Sequence, residues 1–295
     1  MKYINQTILD QLNLPAKESH KGENGRLTII GGSKLFHGSP LLGLQVASQI
    51  VDMLYFVSIE GNLELVKNLK SNLYSFIAVP FGKETDYIKQ SDAILIGPGM
   101  VRGDKNYTGT GESGIQTQEK VLSLLKQYPN KKWVLDAGAL QTITAKQVYN
   151  LDVRNIIVTP HRKEFVSYFN AENVNQEVWD SIEKTAQLVW KKAQEFGCTI
   201  ILKGKIDIIS NGQQTLFNQT GNEGMTKGGT GDVLAGLVSA LTCTNDLLTS
   251  ASIAAFINGL AGDELYKAVG PFFNADQLAQ KVPELLWEQI NKAKA

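Results

Sequence analysis

Short apolar runs rich in β-branched and aromatic residues alternate with longer amphipathic stretches along this chain, and that alternation most constrains its fold. The runs at 27–30, 54–57, 75–79, 93–96, 133–136, 155–158 and 199–202 read as strands, followed by 206–210 and 215–218 as a hairpin across Asn211-Gly212. Helical spacing covers 40–52, 63–71, 118–128, 177–196, 232–241, 247–269 and 276–293. Within 177–196, Trp179, Ile182, Ala186, Val189, Trp190 and Ala193 recur three and four residues apart, which predicts one core-facing stripe. Strands separated by helices require a mainly parallel sheet covered on both faces. No internal repeat, low-complexity tract or Pro/Ser-rich linker marks a boundary, so the 295 residues are expected to form a single α/β domain.

The charge balance narrows the function classes. With 29 basic and 29 acidic residues, nothing steers the chain toward nucleic acid or an anionic membrane. No apolar stretch approaches the roughly 18 residues of a membrane span, and the N-terminus lacks a signal-peptide core and the Arg-rich look of a transit peptide. Cys198 and Cys243 stand in no metal-ligand or C-x-x-C spacing and read as small buried hydrophobes in a reducing compartment. The expected location is the cytoplasm. His20, His37 and His161 are too few and too scattered for a zinc enzyme of the H-E-x-x-H type.

The chemistry concentrates in Gly221-Asn-Glu-Gly-Met-Thr-Lys-Gly-Gly-Thr-Gly-Asp232, followed at once by the apolar run from Val233 to Leu241. Glycines let backbone N–H groups turn toward an anion, and a helix N-terminus adds about half a positive charge. A carboxylate there sits beside the anion it repels, which is the arrangement phosphoryl transfer to a hydroxyl needs: a cradle with a base next to it. The plainer reading is that Asp232 caps the helix.

Other glycine-bearing loops follow the strands. Lys21-Gly-Glu-Asn-Gly25 precedes the first, and Gly31-Gly-Ser33 and His37-Gly-Ser-Pro40 follow it, with Pro40 placed to open a helix. Gly97-Pro-Gly99, Thr159-Pro-His161 and Lys203-Gly204 end three more strands. Glu164, three residues after His161, could hold a hydrated magnesium ion or cap a helix. Ligands of open parallel sheets bind outside the carboxyl ends of strands, so these loops are expected to share one edge. Gly109-Thr-Gly-Glu-Ser-Gly114 fits G-x-G-x-x-G but follows no strand, so it is not a dinucleotide fingerprint. It lies in a glycine-rich, polar stretch, 101–118, expected to be a surface loop.

In their order, Lys21-Gly22, Gly31-Gly-Ser33, Gly38-Ser-Pro40, Gly97-Pro-Gly99, Leu135-Asp-Ala137, Thr159-Pro-His161 with Glu164-Phe165, Lys203-Gly204 and Gly228-Gly-Thr-Gly-Asp232 resemble the NAD(P)H-hydrate dehydratase family. Asn258-Gly-Leu-Ala-Gly-Asp263 and Asn274-Ala-Asp276 resemble its closing helices, so the likeness covers about 20–290. It implies a ribokinase-like three-layer αβα domain with a mainly parallel central sheet. It also implies a standalone dehydratase without the epimerase domain that some members carry. The implied activity is repair of NADHX and NADPHX, nicotinamide rings hydrated at C6, driven by ADP or ATP with Mg2+. By that resemblance Asp232 deprotonates the C6 hydroxyl, which attacks the terminal phosphoryl group while the amides of Gly229, Thr230 and Gly231 stabilise its charge. The phosphate then leaves with help from the ring nitrogen.

By the same resemblance Ser39, Gly99, His161 and Asp232 contact the hydrated substrate, and Lys203, Gly204, Lys205, Ile206, Asp207 and Gly231 line the adenine nucleotide. Glu164 resembles the acidic residue that helps place magnesium in ribokinase-like kinases. A homotetramer and a separate epimerase partner are further implications. The chain departs from the family where Ser39 replaces an alanine, where Val101 replaces the last glycine of Gly-Pro-Gly-Leu-Gly, and where Gly138 replaces an aspartate. Two other functions share the cradle: a hydroxyethylthiazole-type kinase, which would release a stable phosphorylated product, and a catalytically silent nucleotide-binding protein. Asn is usual in such kinases where His161 stands here.

Overall fold

The computed structural model describes residues 1–69, 73–103 and 112–294. Its strands are β1 (Arg26–Ile30), β2 (Met53–Ser58), β3 (Ile77–Pro80), β4 (Ala93–Ile96), β5 (Lys132–Leu135), β6 (Ile156–Val158), β7 (Thr199–Leu202), β8 (Asp207–Ser210) and β9 (Thr215–Asn218). They form one nine-stranded sheet in the order β3-β2-β1-β4-β5-β6-β7-β8-β9. Pairing is parallel from β3 through β7 and antiparallel at β7–β8 and β8–β9, so the expected hairpin closes one edge. The chain reverses its direction of travel between β1 and β4. That switch point opens a crevice beyond the strand ends.

The helices are α1 (Gly38–Ala47), α2 (Glu60–Leu69), α3 (Thr85–Gln90), α4 (Gly114–Gln127), α5 (Gly138–Thr142), α6 (Ala145–Tyr149), α7 (Arg162–Tyr168), α8 (Gln176–Trp179), α9 (Ile182–Phe196), α10 (Thr230–Thr242), α11 (Leu247–Val269) and α12 (Ala275–Lys294). Strand side chains alternate between two cores, as a period of two requires. Leu27, Ile29, Leu95, Val134, Ile157 and Ile201 meet residues of α1, α10, α11 and α12 on one face. Ile30, Ile96, Leu135, Val158, Ile200 and Leu202 meet those of α4, α7 and α9 on the other. The result is the three-layer αβα arrangement expected. Cys198 and Cys243 are buried and unpaired, and burial pushes the Cys198 thiol up to about 12, which leaves it unreactive.

Three helical expectations need correction. The stretch 177–196 is not one helix: Ser181 takes the Lys184 amide on its hydroxyl, capping α9 and ending the continuity with α8. Trp190 is 39% exposed, because Ile182, Ala186, Val189 and Ala193 already fill the inward stripe. The stretch 101–118 is not all loop, since Ser113 and Gln116 form a capping box that starts α4 at Gly114. Residues 109–111 of the Gly109–Gly114 motif lie outside the described residues. Among the described residues, no helix is long and apolar enough to cross a membrane.

Candidate active site

Helix α10 begins two residues before the sequence pattern suggested, and this decides the role of Asp232 in its own helix. Gly229 is the N-cap residue, with φ 98° and no side-chain cap, and Asp232 stands in the first turn instead. A Cβ at Gly229 would lie 2.5 Å from Leu42 Cδ1, so close packing and backbone conformation both demand glycine there. The Thr230 hydroxyl is engaged, donating to the carbonyls of Met225 (2.7 Å) and Lys227 (3.0 Å), which pins the glycine loop to the helix. What this turn presents to a ligand is its backbone amides, the orphan donors of a helix start.

The helix can lie deep because α1 crosses it almost backbone to backbone. A Cβ at Gly236 would lie 2.5 Å from Gly43 Cα, which explains the small residues of the run. The crossing brings Ser39, at the start of α1, to hydrogen-bond Asp232. Burial first, then the nearby charge of Asp136, raises Asp232 from 3.8 to about 7; Lys203 and the Ser39 hydrogen bond oppose the rise. A carboxyl group poised near neutrality at an anion cradle is suited to proton transfer.

Lys203 leaves the end of β7 and carries the opposing charge. Its Nζ is 3.0 Å from Asp136 Oδ1, and a Cβ on Gly231 would lie only 3.4 Å from that Nζ. The ammonium therefore stands between a carboxylate at the end of β5 and the first turn of α10. Burial alone would lower the Lys203 pKa, but Asp136, Glu164 and Asp232 together raise it, so it stays charged. Asp136 is 2% exposed and also accepts from Thr159 Oγ1 at 2.8 Å. Asp207 stitches the following turn, accepting from Gly204 N and Asn218 Nδ2, each at 3.0 Å. Lys205 is exposed and Ile206 half-buried.

His161 heads α7. Its Nδ1 accepts the Glu164 amide (3.1 Å), while Glu164 Oε2 accepts the His161 amide (3.0 Å), a reciprocal capping box. The neutral ring therefore carries its proton on Nε2. Gln141 Nε2 donates to Glu164 Oε1 at 2.6 Å, so both oxygens of this buried carboxylate are engaged within the protein.

At the switch point the loops after β1 and β4 press together. Gly99 has φ 70°, and a Cβ there would lie 2.6 Å from Phe36 O and 2.9 Å from Pro40 Cδ. The two substrate-side departures prove to be neighbours. Val101 is buried and absent from the positive-φ residues, so no glycine is needed at that position. A Cβ at Gly138 would lie 2.5 Å from the carbonyl oxygen of Met100, so a longer side chain has no room while that loop holds its path. Gly138→Ala is expected to lower stability by about 1–3 kcal/mol, read as a lower urea midpoint. An unchanged midpoint would show that the loop yields freely.

A cavity of about 930 Å3 adjoins this cluster, lined by His161, Lys203–Asp207, Thr230 and Gly231 on one side and by Gln219–Glu223, Ala255 and Asn258 on the other. The structure thus brings Lys203, Gly204, Lys205, Ile206, Asp207, Thr230, Gly231 and His161 to one cavity. Ser39 and Asp232 are joined beside it, with Gly99 against Pro40. Sequence reasoning gave no role to Asp136, Gln141 or Asn258. Leu135-Asp-Ala137 at a strand end was the signal for Asp136; nothing local marks Gln141, whose partner is distant in sequence. Among the described residues, no group of three His, Cys, Asp or Glu could hold a metal ion.

Comparison with known proteins accords with this geometry. The chain is 35% identical over 277 residues to the bifunctional NAD(P)H-hydrate repair enzyme Nnr of Methanocaldococcus jannaschii, a match that covers 91% of the chain and 49% of that protein. It is 34% identical over 288 residues to the ADP-dependent (S)-NAD(P)H-hydrate dehydratase of Nitrosopumilus maritimus, covering 95% of each. The chain thus spans about half the length of its bifunctional relatives. The ADP/ATP-dependent NAD(P)H-hydrate dehydratase of Bacillus subtilis, co-crystallised with ATP/Mg2+, superposes with a TM-score of 0.74 at 23% identity over 98% of each chain, which shows the ribokinase-like fold. The NAD(P)H-hydrate dehydratase family model matches residues 27–284, and the chain belongs to that family.

Proposed function

We propose that this chain dehydrates (6S)-NADHX and NADPHX to NADH and NADPH at the expense of an adenine nucleotide. The observation that carries the reading is Asp232, held near neutrality in the first turn of a glycine-led helix without a side-chain cap. In the reaction Asp232 takes the proton of the C6 hydroxyl, whose oxygen bonds to the terminal phosphorus as the phosphoanhydride bond breaks. Amides of Gly229, Thr230 and Gly231 receive the charge of the phosphoryl oxygens, aided by the Lys203 ammonium. The C6–O bond then breaks, the ring nitrogen supplying the electron pair, and loss of the C5 proton restores the dihydropyridine. Inorganic phosphate and a nucleotide one phosphate shorter are released.

Ser39, the loop at Gly99 and His161 contact the hydrated substrate in this reading, as the family resemblance implies. Lys203 through Asp207, with Gly231, line the nucleotide. Magnesium belongs to the proposal as the counter-ion of the nucleotide phosphates. Each Glu164 oxygen already accepts one hydrogen bond, from Gln141 or from the His161 amide, and Glu164 would help hold the ion through its hydrating water, the ion supplying charge neutralisation to the phosphates. We further propose that the chain works as one domain in the cytoplasm and, on the strength of the family resemblance, as a homotetramer beside a separate epimerase.

Purified protein with hydrated NADH, magnesium and ADP or ATP is expected to restore the NADH absorption band. Mass spectrometry of the products separates this from a kinase: a stable phosphorylated ring and no recovered band would sink the dehydratase reading.

A further inference from the structure

The far wall of the cavity is a segment sewn onto α11. Asn218 Nδ2 donates to Ala255 O (3.1 Å), Thr220 Oγ1 to Phe256 O (3.0 Å), and Gly221 N and Asn222 Nδ2 to the two oxygens of Asp263 (3.0 Å each). Among the described residues, one buried side-chain atom of this wall is left without a partner. Asn258, about one turn beyond Ala255 on α11, is 4% exposed, and its Oδ1 has no hydrogen-bond partner. Among the described residues, the other buried side-chain oxygens without a partner belong to Tyr128 and Ser252, and neither lines this cavity.

An amide oxygen buried without a partner is costly to leave so, and such a group calls for a ligand. Its surroundings indicate which kind. Ile206, Met225 and Leu234 line the same cavity, offering apolar surface to a flat ring, while Lys203 and the first turn of α10 offer charge and amides to phosphates. A primary amide presents an acceptor beside a donor, the complement of an exocyclic amine beside a ring nitrogen. We propose that Asn258 reads the exocyclic amino group of the adenine base, making it a specificity-determining residue of the nucleotide site. The assignment rests on the nucleotide-dependent reading above and adds to it the group that selects the base.

The test is calorimetric titration of wild-type protein, Asn258→Leu and Asn258→Ala with ADP, with purine riboside 5′-diphosphate, which lacks the amine, and with inorganic pyrophosphate. Wild type is expected to bind ADP about tenfold or more tightly than the analogue. In both variants that preference should vanish, with pyrophosphate binding unchanged as the sign that fold and cradle are intact. An undiminished preference for ADP in the variants, or no preference in wild type, overturns the assignment alone. Failure of wild type to bind any nucleotide overturns it together with the nucleotide-dependent reading.

Discussion

Asp232→Asn is expected to cut turnover by about 10²–10⁴-fold, and to make the folded protein more stable at alkaline pH. Both effects follow from one displaced equilibrium, the Asp232 carboxyl raised from 3.8 to about 7. A base must be ionised to act, so wild-type kcat/KM should fall about tenfold per pH unit below about 7 and level off above it. For stability the sign reverses. Between pH 3.8 and about 7 the native state keeps a proton that the unfolded chain has released, so stability declines as pH rises through that window and stays lower above it. Asparagine never ionises there. Its stabilising effect should be near zero at pH 4 and grow to roughly 2 kcal/mol at pH 8, allowing for partial solvation of the group. Full turnover in the variant would remove Asp232 from the mechanism. A stability gain independent of pH would show instead that the carboxyl is not displaced.

Lys203→Met strands a charge. Asp136 keeps its Thr159 hydrogen bond but loses the ammonium 3.0 Å away, and its side chain is 3% exposed. Breaking such a pair from one side is expected to cost about 3 kcal/mol, the lower end of the range because Lys203 itself is partly solvated. The same change removes the positive charge that holds the Asp232 pKa down, so the acidic limb of the rate profile should move to higher pH. Adding Asp136→Asn should recover much of the lost stability, since the carboxylate nearest the missing ammonium is then neutral, without restoring turnover. Urea denaturation and the pH profile read the two effects separately. An acidic limb that stays in place in Lys203→Met would mean that Lys203 and Asp232 do not communicate.

The strands were readable because a buried parallel strand is a short apolar run, and runs such as 93–96 and 199–202 coincide with β4 and β7. Short helices were harder. Helices α5 and α6 span five residues each, too few for a helical period to emerge, and α6 depends on a capping box between Thr144 and Gln147. The site was legible where function lies in backbone shape, since glycine is visible in sequence: Gly99 and Gly229 both need positive φ. It was least legible where function lies in pairing between distant segments. Asp136 meets Lys203 across 67 positions, and Gln141 meets Glu164 across 23. The fit of Gly138 against Met100 likewise exists only once the sheet has brought β4 and β5 side by side.

The contact between Gly43 and Gly236 has a mechanical consequence. Helices α1 and α10 are locked at their crossing and both start at the site, one delivering Ser39 and the other the amides around Gly231. Asp232 and those amides, the proposed base and phosphate seat, therefore ride on one lever held against α1 at this crossing. Adjustment to a bound nucleotide falls to the wall across the cavity, which is sewn to α11 by hydrogen bonds rather than wedged by interlocked backbones. A bulkier residue at Gly236 would act at the fulcrum, throwing the proton acceptor and the phosphate seat out of alignment together.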